Sequence, residues 1–134
     1  MFEIVKSISF CYGHRLLNHQ GQCQHLHGHN AKAEIMIASE QLNELGMVMD
    51  FADIKAVIKS WIDNNLDHTM LLCRDDPMVP VFEANNERFY LMDDNPTAEN
   101  IAKLIYQQAQ RNNLPVVSVT LWETDTSFAR YSEQ

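Results

Sequence analysis

Hydrophobic residues alternate with polar ones over residues 2–11 (FEIVKSISFC). Phe2, Ile4, Ile8 and Phe10 share one side, which predicts a strand. Residues 15–26 are polar, rich in Gln and broken by Asn18 and Gly21, so they read as a loop. Alternation resumes over 27–39 (HGHNAKAEIMIAS), with Ala31, Ala33, Ile35 and Ile37 on one side. Two strands joined by a single loop are most simply a long antiparallel hairpin. Beyond Gly46 the period becomes helical: Phe51, Ile54, Val57, Ile58, Trp61 and Ile62 form a stripe. Asp50 is placed to cap that helix, Asp53 to complement its first turn, and Asn64-Asn65 to end it. A short apolar piece, Met70–Cys73, follows. Residues 74–87 carry Asp75-Asp76-Pro77, Pro80 and Asn85-Asn86, which is loop chemistry, and Phe89-Tyr90-Leu91 reads as a short strand.

Thr97 caps a second helix whose apolar stripe is Ala98, Ile101, Ala102, Leu104, Ile105 and Ala109. Asn112-Asn113 and Pro115 stop it. Residues 116–123 (VVSVTLWE) predict a strand, and Phe128–Tyr131 an extension of the sheet. Helices are grouped between strand pairs and do not alternate with every strand. That order predicts an α+β fold with an antiparallel sheet. No repeat, linker or low-complexity segment divides the 134 residues, which predicts one domain spanning 1–134.

Charge narrows the possible partners. The formal net charge is -8, and no Lys/Arg cluster supplies the basic face that nucleic acid requires. A small anion remains possible, because a bound metal and a few local cations can reverse the sign inside one pocket. No apolar run approaches the roughly 20 residues that span a bilayer, and the N-terminus lacks the pattern of a signal peptide. Three cysteines, an odd count with no disulfide-scaffold spacing, fit a reduced compartment. The expected location is the cytoplasm.

The candidate chemistry lies at the inner ends of the hairpin. His27-Gly28-His29 places two imidazoles at i and i+2, on one side of a strand. His14 follows the first strand, so pairing would bring three imidazoles together with a fourth position open, as in a catalytic zinc site. Ordinary surface histidines are the bland alternative, with His19 and His25 as bystanders and His25 a spare ligand by parity. Cys23, four residues before His27, is a catalytic thiol, a fourth ligand or a buried loop residue. Cys11 and Cys73 lie in apolar stretches and read as inert. Asp67-His68 is either an acid–base pair or a helix C-terminal cap. Glu123 shares the parity of Val117, Val119 and Leu121. It either accepts paired N–H donors from a ligand or faces solvent at a strand end. Glu99 is most simply a residue that complements the helix dipole.

Several segments together carry a resemblance. They are His14-Arg15-Leu16, the run from Gly21 to Asn30 with Cys23-x-x-x-His27-Gly28-His29, Met49-Asp50-Phe51-Ala52-Asp53-Ile54-Lys55, Leu66-Asp67-His68, Pro96-Thr97-Ala98-Glu99-Asn100 and Trp122-Glu123-Thr124. In this order they resemble the 6-pyruvoyltetrahydropterin synthase / 6-carboxytetrahydropterin synthase family. The resemblance implies zinc on His14, His27 and His29, with Cys23 as the proton-abstracting thiolate and Asp67 and His68 as its acid–base partners. It also implies a pterin ring held by Glu123, with Thr97 and Glu99 lining the pocket. The implied fold is a small antiparallel four-stranded sheet with two helices on one face. The implied assembly is a homo-oligomeric barrel, trimer or hexamer, with sites between subunits.

The short Cys-to-His spacing is similar to that of the bacterial 6-carboxytetrahydropterin synthases of queuosine biosynthesis, whose substrate is a pterin triphosphate. Arg15, Lys32 and Arg130 are candidates to hold the triphosphate. Alternatives are a 6-pyruvoyltetrahydropterin synthase, a non-catalytic pterin- or zinc-binding homologue, and a structural zinc domain. Cys11-Tyr12-Gly13 and Ala31 depart from the family pattern close to the pocket.

Overall fold

The first two strands set the frame. In the computed structural model, which describes residues 1–133, β1 (Phe2–His14) and β2 (His27–Ser39) pair antiparallel over their whole length. Their period-two pattern buries Ile8, Phe10 and Tyr12 of β1 and Ala31, Ala33, Ile35 and Ile37 of β2 on one face. The other elements are α1 (Phe51–Asn65), β3 (Thr69–Cys73), α2 (Val79–Ala84), β4 (Phe89–Met92), α3 (Ala98–Arg111), β5 (Val116–Thr124) and β6 (Ser127–Ser132). A 3-10 turn, Gln22–Gln24, sits in the hairpin loop.

α1 and α3 bury their stripes against that face. Ile54, Ile58 and Ile62 of α1 and Ile101 and Ile105 of α3 are fully buried. Each such side chain is worth roughly 1.5–3 kcal/mol of burial. Both caps form as predicted: Asp50 accepts from the Ala52 N–H at 2.8 Å, and Thr97 from the Asn100 N–H at 3.1 Å.

The sheet is larger than the family resemblance implies. It has six strands in the order β4-β3-β1-β2-β5-β6 and is mixed, not four-stranded and antiparallel. β3 runs parallel to β1, and β4 parallel to β3. Leu71, Leu72 and Cys73 are buried in succession, as in a strand covered on both faces, so β3 shows no alternation to read. Among the described residues there are three α-helices, not two. α2 falls inside the stretch read as loop: Asp76 starts it by accepting from the Met78 N–H at 2.8 Å, which turns Asp-Pro-Met into a helix entry. No helix among the described residues is long and apolar enough to cross a membrane.

Candidate active site

Strand register assembles the three histidines. His14 lies opposite His27, Gly13 opposite Gly28 and Tyr12 opposite His29. Directly opposed residues share a face, so His14, His27, His29 and Tyr12 all project to the helix side. The imidazole centroids lie 4.5 Å (His14–His27), 5.0 Å (His14–His29) and 5.0 Å (His27–His29) apart. One ligand nitrogen from each falls within 4.8 Å of the other two.

Two of the rings are oriented by backbone carbonyls. His14 Nδ1 lies 2.6 Å from the Pro96 oxygen and His27 Nδ1 lies 2.7 Å from the His25 oxygen. A carbonyl only accepts, so each Nδ1 carries the proton and each Nε2 keeps its lone pair free. Burial holds His14 and His29 below the ordinary histidine value, outweighing the opposite pull of Pro96 on His14 and of Glu123 on His29. Neutral imidazoles with a fixed tautomer are the form that binds metal. His14 Nε2 and His29 Nε2 are 3.1 Å apart. Neighbouring donors of a tetrahedral zinc with N ligands at 2.0–2.1 Å stand about 3.3 Å apart. The residues therefore fit zinc.

Glu123, from the end of β5, reaches the same place. Its carboxylate oxygens lie 3.7 Å from His29 Nε2 and 3.9 Å from His14 Nε2. The Tyr12 hydroxyl donates to Glu123 at 3.3 Å, and its ring stands edge-on to His14 at 5.1 Å. Burial, then the Glu123 charge, push the Tyr12 phenol well up, so it remains a donor. Glu99, in the first turn of α3, lines a cavity of about 410 Å³ together with Glu123, Phe128 and Arg130. The Thr97 hydroxyl is engaged in the α3 cap and holds that turn in place. Pro96, next to Thr97, is the residue that orients His14. Asn95 in turn brackets Leu17 with bonds of 2.8 and 2.9 Å and accepts at its carbonyl from Asn100. Tyr12, Asn95 and Pro96 serve the site through contacts distant in sequence, and nothing local in the sequence marks those roles.

Cys23 and the Asp67-His68 turn share no cluster of ligand-type side chains among the described residues. Cys23 is half-buried in the 3-10 turn, and its carbonyl accepts from the Leu16 N–H at 2.8 Å. It belongs to neither of the two clusters of potential metal-binding side chains found among the described residues. Asp67 and His68 do bond directly, His68 Nδ1 to Asp67 Oδ2 at 3.0 Å. Adjacent residues manage this because His68 takes a left-handed conformation (φ 56°). Burial works against the Asp67 carboxylate, but the Cys11 N–H and His68 bonds hold it below its ordinary value overall.

His25 and His19 serve the loop: the His25 carbonyl holds His27, and His19 Nδ1 accepts from the Gly21 N–H at 2.8 Å. Arg15 is committed to an ion pair with the buried Asp76. Lys32 lies 5.5 Å over the Trp122 ring, and Arg130 donates to Thr120 at 2.7 Å.

The family model for 6-pyruvoyl tetrahydropterin synthase matches residues 3–134. The chain belongs to that family. Two relatives that share its length are the 6-carboxy-5,6,7,8-tetrahydropterin synthases of Rickettsia conorii and Haemophilus influenzae. The first is 40% identical, with 96% of this chain and 98% of the relative covered; the second is 33% identical, with 99% and 100% covered. Among solved structures, an uncharacterized protein from Wolinella succinogenes superposes with a TM-score of 0.81 at 28% identity, covering 99% of this chain and 98% of that one. The 6-pyruvoyl tetrahydropterin synthase of Caenorhabditis elegans shares the fold, with a TM-score of 0.73 at 23% identity, covering 99% and 96%.

Proposed function

We propose that this member of the family is a 6-carboxy-5,6,7,8-tetrahydropterin synthase. It would convert 7,8-dihydroneopterin triphosphate to 6-carboxytetrahydropterin, acetaldehyde and triphosphate, in 7-deazapurine (queuosine) biosynthesis. The observation that carries the catalytic reading is the convergence of three imidazoles, two of them tautomer-fixed by backbone carbonyls, beside Glu123. The product assignment draws on relatives of that name matched over nearly their whole length.

In this reading residues 1–134 act as one catalytic domain, and His14, His27 and His29 hold zinc. Zinc bound there supplies Lewis-acid polarisation of the oxygens on the substrate side chain. Cys23 as thiolate removes the proton from the neighbouring carbon, and His68, oriented by Asp67, carries protons on and off the reacting side chain. Glu123 and Glu99 accept the paired N–H donors of the pterin, and Thr97 fixes the turn that presents Glu99. As the family resemblance implies, Cys23 and the Asp67-His68 pair, which share no cluster within one chain, would meet across a subunit boundary. The protein would accordingly work as a homo-oligomer, trimer or hexamer. A cytoplasmic location is part of the same reading.

Stripping zinc with a chelator should abolish conversion of 7,8-dihydroneopterin triphosphate, and one equivalent of zinc per chain should restore it. Undiminished conversion by metal-free protein would reject the zinc assignment.

A further inference from the structure

Cys11 reads from sequence as an inert residue in an apolar strand, but the structure gives it a different setting. It projects to the face of β1 opposite the three histidines, half-buried. Its backbone is bonded on both sides to the Asp67-His68 turn. The Cys11 N–H donates to Asp67 Oδ1 at 3.0 Å, and the His68 N–H donates to the Cys11 carbonyl at 2.8 Å. Thr69 Oγ1 closes the turn by donating to the Asp67 carbonyl at 3.0 Å. These bonds hold three different donor types together. One ligand atom each from Cys11, Asp67 and His68 lies within 4.8 Å of the other two. His68 Nδ1 and Asp67 Oδ2, 3.0 Å apart, already stand near the donor spacing of a tetrahedral ion.

We propose that Cys11, Asp67 and His68 form a second metal site, distinct from the three-histidine site, that takes a thiophilic divalent cation of the zinc class. A thiolate, an imidazole and a carboxylate are the donor set zinc favours, and a hard cation such as magnesium would not use the sulfur. The site is preorganised by backbone hydrogen bonds, so little chain ordering opposes binding. Within one chain it is open: the His68 side chain is 74% exposed, and all three residues line a cavity of about 720 Å³. Asp125 lines that cavity too and offers another carboxylate; Lys32, also on its wall, lies 5.5 Å over Trp122. On binding, Cys11 releases its proton to solvent, and His68 gives up the Nδ1 proton it shares with Asp67, keeping one on Nε2 by exchange with solvent, so that Nδ1 turns its lone pair to the metal. Occupancy therefore withdraws His68 and Asp67 from proton transfer, so excess metal inhibits. That second half rests on the catalytic role proposed for the pair; binding itself does not.

The test begins with protein carrying one zinc per chain and titrates it with cobalt(II) or cadmium(II). The wild type should take up one further equivalent with a thiolate-to-metal charge-transfer absorption. Cys11→Ser should lose that absorption and bind the equivalent at least tenfold more weakly, while keeping the first zinc. His68→Ala, at an exposed position, should lose the same equivalent, and Cys23→Ser should retain it. An unchanged second equivalent in Cys11→Ser, or an absorption that disappears in Cys23→Ser instead, would overturn the site. Turnover is read separately. The second equivalent should inhibit the wild type and leave Cys11→Ser unaffected. Binding at Cys11 without inhibition would keep the site and reject the role of Asp67-His68 in proton transfer.

Discussion

His14 shows how one residue's chemistry is set by partners distant in sequence. Its place opposite His27 follows from strand pairing, and the i, i+2 spacing of His27 and His29 needs only a period of two. These features are legible in the chain. The partner that fixes the His14 tautomer, Pro96, is 82 residues away, and the Tyr12–Glu123 bond spans 111. No local pattern encodes such contacts; they exist only once the sheet and α3 are packed. Cys11 is the sharpest case, because its apolar neighbourhood in sequence hides its bond to Asp67, 56 residues on. Cys23 is the residue on which the chemical proposal depends most. Cys23→Ala should keep full zinc content, since all three proposed ligands are imidazoles, and should abolish turnover. Normal turnover by a zinc-replete variant would remove Cys23 from the mechanism.

At the scale of elements, the long strands, α1 and α3 announce themselves, because each carries a full amphipathic pattern and a cap. β3, β4 and α2 are five, four and six residues long. Such lengths hold too few periods to read, and the parallel pairing of β3 with β1 is not a local property. What fixes α2 is Asp76, buried and joined to Arg15 at the end of the hairpin, with Arg15 Nε donating to Asp76 Oδ2 at 2.8 Å. The Arg15 bond holds the Asp76 carboxyl below its usual range, against the opposing effect of burial. A depressed carboxylate value stabilises the fold above the unfolded value near pH 4, and the contribution is lost as pH falls through the lower folded value. Asp76→Asn should therefore cost about 2 kcal/mol at neutral pH, by leaving Arg15 without its charge partner. In denaturant melts the gap from wild type should narrow below about pH 4. A gap that stays constant through that window would mean the ion pair contributes nothing.

At the scale of the whole molecule, the hairpin carries the histidines on one face of the sheet, while Cys11 and the Asp67-His68 turn meet on the other. The 6-pyruvoyl tetrahydropterin synthase family fold spans the chain, and its motifs were readable because they are contiguous runs of residues. The proposed meeting of Cys23 with Asp67-His68 across a subunit boundary leads to a direct expectation. Cys23→Ala and His68→Ala, each inactive alone, should recover part of the activity when co-expressed in mixed oligomers. No recovery in verified mixed oligomers would place thiol and pair in the same chain's site. The most direct test of the proposed activity is product analysis after zinc-loaded protein is incubated with 7,8-dihydroneopterin triphosphate. The account predicts 6-carboxytetrahydropterin with one acetaldehyde per turnover, and a pyruvoyl product, or no turnover at full zinc occupancy, would contradict it.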